Sequence, residues 1–276
     1  MCSVYSVVSS QMTPPKNALI EAWQAGRSTV NGWLAIPSLS ATEEMAHQGW
    51  DSLTIDLQHG LADYQVALGM LAAMASTPVV PMARVPWLDE GIIMRMLDAG
   101  CYGIICPMIN SKDEAHRLIR ACNYAPVGTR SFGPIRVRLK AGLDYYKTAN
   151  DEVLSIAMIE SQQALDNLDD ILSVEELKAV YIGPADLSLA LGCTPKFDQE
   201  EPKVVQAIEH IVKTAKAKGK RVGIHNGTVA YARRMTGLGA DFVTVGSDLR
   251  FVAAGAKAVV DEFRETAPSG DAVGGY

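Results

Sequence analysis

The chain has 276 residues, 48% of them hydrophobic, which suffices to bury one barrel-sized core or two small ones. Lys and Arg number 25 against 31 Asp and Glu, a formal charge of -6, and no basic stripe tracks a phosphate backbone, which argues against nucleic acid as a partner. The longest apolar stretches, such as VALGMLAAMA at 66–75, are too short to span a bilayer, and the start MCSVYSVVSSQMTPPKN lacks the pattern of a secretory signal.

In chain order, 17–25 reads as a helix and 31–36 (NGWLAI) as the first strand. Further apolar, β-branched runs follow at 51–57 (DSLTIDL), 78–85 (PVVPMARV), 102–107 (YGIICP), 153–160 (VLSIAMIE), 178–184 (KAVYIGP), 220–225 (KRVGIH) and 240–246 (ADFVTVG). Between them, apolar residues recur at three and four spacing over 41–48, 62–75, 92–98, 112–122, 164–172, 202–218 and 229–238, and again over 249–264. Eight strands each followed by a helix predict a (β/α)8 TIM barrel with an N-terminal helix. An open doubly wound sheet is the alternative, but no G-x-G-x-x-G follows the first strand.

Residues 125–150 (APVGTRSFGPIRVRLKAGLDYYKTAN) form a long connection between the fourth and fifth strands, and connections of that length are more often functional than decorative. Its arginines, Arg130, Arg136 and Arg138, and nearby Arg120 read either as a solvated basic face or as a clamp for an anionic substrate. The expected organisation is a flexible start at 1–13, one barrel domain at 14–265 and a disordered small-residue tail at 266–276. Five scattered cysteines, with no C-x-x-C pair, suit a reducing cytoplasm.

In such a barrel the reactive groups sit where strands end, and the polar residues collect there. Strand two runs into Asp56 and His59, strand three ends with Arg84, strand five with Glu160, strand six with Asp186, strand seven with His225 and Asn226, and strand eight with Ser247 and Asp248. Glu160 and Asp186 are carboxylates beyond nearly uncharged strands, suited to a hard divalent cation such as Mg2+. Asp186 reads equally as a cap for a helix starting at Leu187, and Arg84 as the partner of a structural ion pair with Asp56 or Glu160. His59, three residues after Asp56, can form with it the carboxylate-imidazole pair of a general base. Trp33 reads as core or pocket wall, and the HNG around His225 is also ordinary turn composition.

Four motifs, TIDLQHG, ARVPW, AMIES and YIGPADLS, supported by YAPVGTR and GADFVTVGSD, stand in the order and spacing of the class II hydroxy-oxo-acid aldolase family, which the chain resembles from about Trp23 to Phe263. The resemblance implies a lyase that cleaves or forms a 4-hydroxy-2-oxo acid through a metal-bound pyruvate enolate, with an aldehyde as the other product. It implies Mg2+, Mn2+ or Co2+ held by Glu160 and Asp186, substrate contacts from Gly183, Pro184, Ala185 and Asp186 with Trp33 and Ser161 nearby, Arg84 on the enolate oxygen, and proton transfer by Asp56 and His59. It also implies a cytoplasmic homo-oligomer, a trimer or hexamer, in which the eighth helix is swapped onto a neighbouring subunit.

Gln58, Met158 and the RSFGP at 130–134 depart from the family's usual residues, the first two beside the expected metal. Oxaloacetate decarboxylation, the macrophomate synthase-like use of the same enolate, is the alternative within the enzyme class. A non-catalytic oxo-acid-binding barrel is the alternative outside it.

Overall fold

A computed structural model describes residues 16–266, with side chains through Arg264. Cys2, the expected flexible start at 1–13 and positions 267–276 of the expected tail lie outside those residues, and Thr266 itself closes the last helix.

All eight expected strands form: β1 (Thr29–Leu34), β2 (Ser52–Asp56), β3 (Val80–Arg84), β4 (Gly103–Cys106), β5 (Leu154–Ile159), β6 (Ala179–Ile182), β7 (Arg221–Asn226) and β8 (Phe242–Ser247). They close in sequence order into a wholly parallel barrel, with β1 paired to both β2 and β8. Before and between them run α1 (Ala18–Gln24), α2 (Leu39–Ala46), α3 (Tyr64–Ala73), α4 (Glu90–Ala99), α5 (Lys112–Cys122), α6 (Val137–Ala141), α7 (Tyr145–Glu152), α8 (Gln162–Asp166), α9 (Leu168–Leu172), α10 (Pro184–Ala190), α11 (Pro202–Ala217), α12 (Val229–Leu238) and α13 (Asp248–Thr266). Six helices begin with a Ser, Thr or Asp whose side chain accepts a backbone N–H of the first turn: Ser38, Asp63, Asp89, Ser111, Ser161 and Thr228.

The two-residue alternation of each strand divides the core in two. Leu53, Ile55, Ala83, Ile104, Ala157, Ile159, Val180 and Ile182 face the helices, where full burial of such a side chain stabilises the fold by roughly 1.5–3 kcal/mol. Trp33, Met82, Ile105, Ile156, Met158, Tyr181 and Phe242 fill the barrel. Gly223 is a glycine for that interior, because a Cβ there would stand 2.1 Å from the Phe242 ring.

The N-terminal mouth is plugged by α1. Trp23 stacks on Phe242 at 5.2 Å and donates its indole N–H to Thr29 Oγ1 at 2.9 Å. Asn17 caps the same helix and donates to the carbonyls of Tyr102 and Glu152.

The long 125–150 connection holds two short helices, α6 and α7, where the sequence reads only as loop. It leads from α5 into β5, so it belongs to the N-terminal rim, away from the strand ends that carry Glu160 and Asp186. The reading of its arginines as a clamp at the strand-end cavity is therefore corrected within this chain. Arg130 is sealed at 0% side-chain exposure, paired with Asp98 at 2.6 Å and flanked by the Tyr124 and Tyr145 rings, and Arg136 donates to the carbonyl of Ala99.

The barrel itself is closed, but its outer layer leaves one flank uncovered. Leu249, Phe251, Val252, Val259, Val260 and Phe263 of α13 are exposed. Beside them an apolar groove of about 440 Å3 runs between Val30, Trp50, Val229, Val243 and Phe251.

Candidate active site

At the C-terminal rim a cavity of about 310 Å3 is lined by Trp33, Asp56, His59, Arg84, Glu160, Gly183 to Asp186, His225 and Ser247, so strand ends distant in sequence meet there. Phe197 and Arg250 join them.

Glu160 follows β5 and is 3% exposed. One carboxylate oxygen accepts the N–H of Met108 at 2.9 Å, and no Lys, Arg or His stands within ion-pair distance among the described residues. Burial pushes its carboxyl up to about 7, the Met108 N–H opposes that, the neighbouring Asp186 charge adds to it, and Arg84 pulls it back. Gly183 creates the space for this side chain, since a Cβ there would lie 2.2 Å from Glu160 Oε2.

Asp186 is exposed in the first turn of α10. The helix begins at Pro184 with Gly183 as its cap residue and no side-chain cap bond, so the capping role for Asp186 is replaced. Pro184 has no N–H to leave unpaired, and the first intrahelical bond runs from Leu187 to Gly183 at 3.0 Å. The N–H groups of Ala185 and Asp186 thus have no backbone partner at the cavity wall.

Arg84 is held as a fork. Its Nε donates to Asp56 Oδ1 at 2.9 Å and one terminal nitrogen to Oδ2 at 2.6 Å, while the Trp33 ring lies 4.9 Å beneath the guanidinium carbon. Burial favours the neutral acid at Asp56, but Arg84 outweighs it and holds the carboxyl below its ordinary range. The other terminal nitrogen of Arg84 has no acceptor among the described residues.

The Asp56–His59 dyad expected from the sequence does not form through side chains. Asp56 Oδ1 accepts the backbone N–H groups of Gln58 and His59, at 3.1 and 3.3 Å, and both carboxylate oxygens are committed to Arg84. Asp56 therefore shapes the loop that presents the exposed His59 ring and aims Arg84. Ser161 is likewise spent elsewhere: its hydroxyl caps α8 and bonds Asn110, outside the cavity lining. Asp248, 3% exposed, accepts the N–H groups of Ala35 and Ile36 and so ties the end of β1 to α13.

Residues passed over in the sequence complete the wall. Tyr181 bonds Thr244 Oγ1 at 2.6 Å and meets His225 Nδ1 at 3.3 Å. The His225 ring also sits against Phe197 and Trp33, and burial, helped by Arg84, pushes it down to about 4, so it is neutral at pH 7. Tyr181 was legible as an inward residue of its strand, opposite in parity to Val180 and Ile182. Phe197 and Arg250 carry no local signal, since only closure of the barrel brings them near.

No cluster of three or more His, Cys, Asp and Glu gathers among the described residues, so the donor set is the two carboxylates. They fit a divalent cation: both offer hard oxygen ligands, and Glu160 is buried beside a second acid without a cation to balance it.

A family model described as HpcH/HpaI aldolase/citrate lyase matches residues 31–254. The chain is 42% identical over 248 residues to a hydroxypyruvate/pyruvate aldolase of Rhizorhabdus wittichii, covering 90% of this chain and 99% of that protein. It is 37% identical over 251 residues to a 4-hydroxy-2-oxo-heptane-1,7-dioate aldolase of Salmonella dublin, covering 90% and 95%. The crystal structure of an HpcH/HpaI aldolase/citrate lyase family protein from Burkholderia cenocepacia superposes with a TM-score of 0.83 at 29% identity, covering 90% of this chain and 99% of that one.

Proposed function

Because the chain belongs to the HpcH/HpaI aldolase/citrate lyase family, we propose that it is a divalent-metal-dependent lyase that splits a 4-hydroxy-2-oxo acid into a 2-oxo acid of the pyruvate type and an aldehyde, and also joins them. The observation that carries this reading is the buried, unbalanced Glu160 beside Asp186, accommodated by the missing side chain of Gly183.

A cation held by Glu160 and Asp186 (Mg2+, Mn2+ or Co2+) would serve as a Lewis acid toward the 2-oxo group. The free N–H groups of Ala185 and Asp186 receive the substrate carboxylate. Arg84, aimed by Asp56 and backed by Trp33, turns its unused nitrogen toward the oxygen that gains negative charge. His59 takes the proton of the 4-hydroxyl, the C3–C4 bond breaks, the aldehyde leaves, and the electron pair stays as an enolate that is protonated at C3. The neutral His225, with Phe197 and Trp33, forms a wall of the cavity in which the departing half sits.

The open flank supports a homo-oligomer, in the family's trimer or hexamer, in which α13 of a neighbouring copy covers the groove beside Trp50. Among the described residues no helix is long and apolar enough to cross a membrane. The four described cysteines are free, and burial raises the thiols of Cys101, Cys106 and Cys122, so those three are inert packing residues, a usage that fits the cytoplasmic setting.

The test is retro-aldol turnover of 4-hydroxy-2-oxoheptane-1,7-dioate, with pyruvate release from oxaloacetate as a comparison, before and after chelation and metal restoration, together with calorimetric Mn2+ binding. Turnover that chelation abolishes and Mn2+ restores is expected. Full activity in chelator, or undiminished Mn2+ binding by Glu160→Ala, overturns the reading.

A further inference from the structure

At the N-terminal rim, remote from the catalytic cavity, a second cavity of about 390 Å3 lies under α6, with walls from Leu71, Met74, Pro81, Val137 and Leu139. It adjoins a smaller one of about 220 Å3, and the two share Pro81, Tyr102 and Lys140. The larger volume falls within the range of small-molecule sites, and its walls are mostly aliphatic.

Three polar groups stand at this cavity with hydrogen-bonding capacity left over. Arg136 gives one terminal nitrogen to the carbonyl of Ala99 and makes no ion pair among the described residues. Lys140, exposed at the cavity mouth, makes neither a hydrogen bond nor an ion pair among the described residues, and partial burial of its amine together with Arg136 lowers its pKa. Tyr102 is 5% exposed, and its hydroxyl is buried without a hydrogen-bond partner. The nearby carboxylate, Glu152, is occupied by the backbone N–H of Asn17. A buried hydroxyl with no partner is costly, and two cations facing each other without an anion are mutually repulsive. One ligand with an anionic head would satisfy the hydroxyl and balance the two cations.

We propose that this cavity is a second binding site, for a small amphiphilic carboxylate with an aliphatic body: Arg136 and Lys140 take the head, the Tyr102 hydroxyl donates to it, and the chain lies along Leu71, Met74 and Val137. The site stands independently of the lyase reading, because none of its residues lines the catalytic cavity.

The probe is octanoate, titrated calorimetrically into the full chain, with octan-1-ol as the uncharged control. Saturable octanoate binding is expected, about tenfold or more tighter than octan-1-ol, because a hydrogen-bonded charge is lost with the carboxylate. Lys140→Gln weakens octanoate by about tenfold, whereas Glu160→Gln in the catalytic cavity leaves it unchanged. Tyr102→Phe supplies the sharper readout: it weakens octanoate while the melting temperature of the unliganded protein holds or rises, because an unsatisfied hydroxyl has been removed. A merely structural tyrosine would give the opposite pair of changes. Absence of saturable binding, equal affinity for octan-1-ol, or binding that Glu160→Gln removes and Lys140→Gln preserves overturns the proposal.

Discussion

At the C-terminal rim Glu160 is buried beside another acid with one backbone N–H for company, whereas at the N-terminal rim Arg130, equally buried, is matched by Asp98 and sandwiched between Tyr124 and Tyr145. Both are charges that the fold withdraws from water, at a cost that only a partner offsets. Where the protein provides the partner, the charge locks structure, here pinning the long connection onto α4. Where it does not, the site is built for something that arrives. The division predicts that substitutions at one rim lower activity with little change in stability, and at the other the reverse.

The largest effect expected is at Glu160. Glu160→Gln keeps the shape, removes the charge and should cut retro-aldol turnover by more than ~10³-fold, beyond the loss of a single oxyanion donor. Mn2+ affinity should fall with it, while the urea midpoint stays level or rises because a buried, unbalanced acid is gone. A turnover loss under tenfold would end the idea that the unmatched charge is the functional one.

Arg130→Met is the complementary case at the other rim. It leaves Asp98, whose side chain is 19% exposed, without its cation and Tyr145 without a donor, and should cost about 3–5 kcal/mol in urea unfolding. Turnover per folded molecule should remain at the wild-type value. If kcat falls tenfold in a protein that is still folded, the long connection takes part in the chemistry and the division between rims fails.

Gly183→Ala is expected to act next most strongly. The added Cβ would stand 2.2 Å from Glu160 Oε2, so the carboxylate must move, and a displacement of that order costs about 10²-fold in rate. Mn2+ binding read by calorimetry should weaken in parallel. Unchanged metal affinity would mean that Glu160 relaxes without consequence.

Much of the catalytic rim was legible because strand-end position is a matter of period and order. Asp56, Arg84, Glu160 and the 183–186 turn each follow an apolar run directly, so placing the strands placed them. What the sequence left open was pairing: it offered Arg84 to Asp56 or Glu160, and His59 to Asp56, and the structure takes the Asp56–Arg84 pair. Asp56 has a histidine three positions away and an arginine 28 positions away, and local spacing favours the histidine, but parallel registry puts Asp56 beside Arg84 on neighbouring strands. The same limitation left 125–150 unplaced: its length suggested function, but its entry from a helix rather than a strand sets it at the rim away from Glu160 and Asp186. Position in the β-to-α alternation separates the two cases: segments that follow a strand reach the rim of Glu160 and Asp186, and segments that follow a helix do not.

The smallest effect predicted concerns His225, where the two kinds of environment meet. Its ring is packed between Phe197 and Trp33 with Arg84 nearby, and burial lowers it from 6.5 to about 4, so the native state refuses a proton that the unfolded chain accepts. Between those values the unfolded state binds more protons, so the native state loses stability as pH falls from 6.5 toward 4 and loses no more below that. Between pH 7 and pH 5 this amounts to about 2 kcal/mol. Glu160, raised to about 7, acts with the opposite sign over the same window, because the native state holds its proton more tightly. Comparing wild type with His225→Gln cancels that contribution, since both proteins keep Glu160. The stability difference between them should therefore shift by about 2 kcal/mol in favour of the variant on going from pH 7 to pH 5, as read from urea midpoints. A difference independent of pH would show that the ring gains a proton in the native state as readily as in the unfolded chain, and that this wall of the cavity is wet rather than apolar.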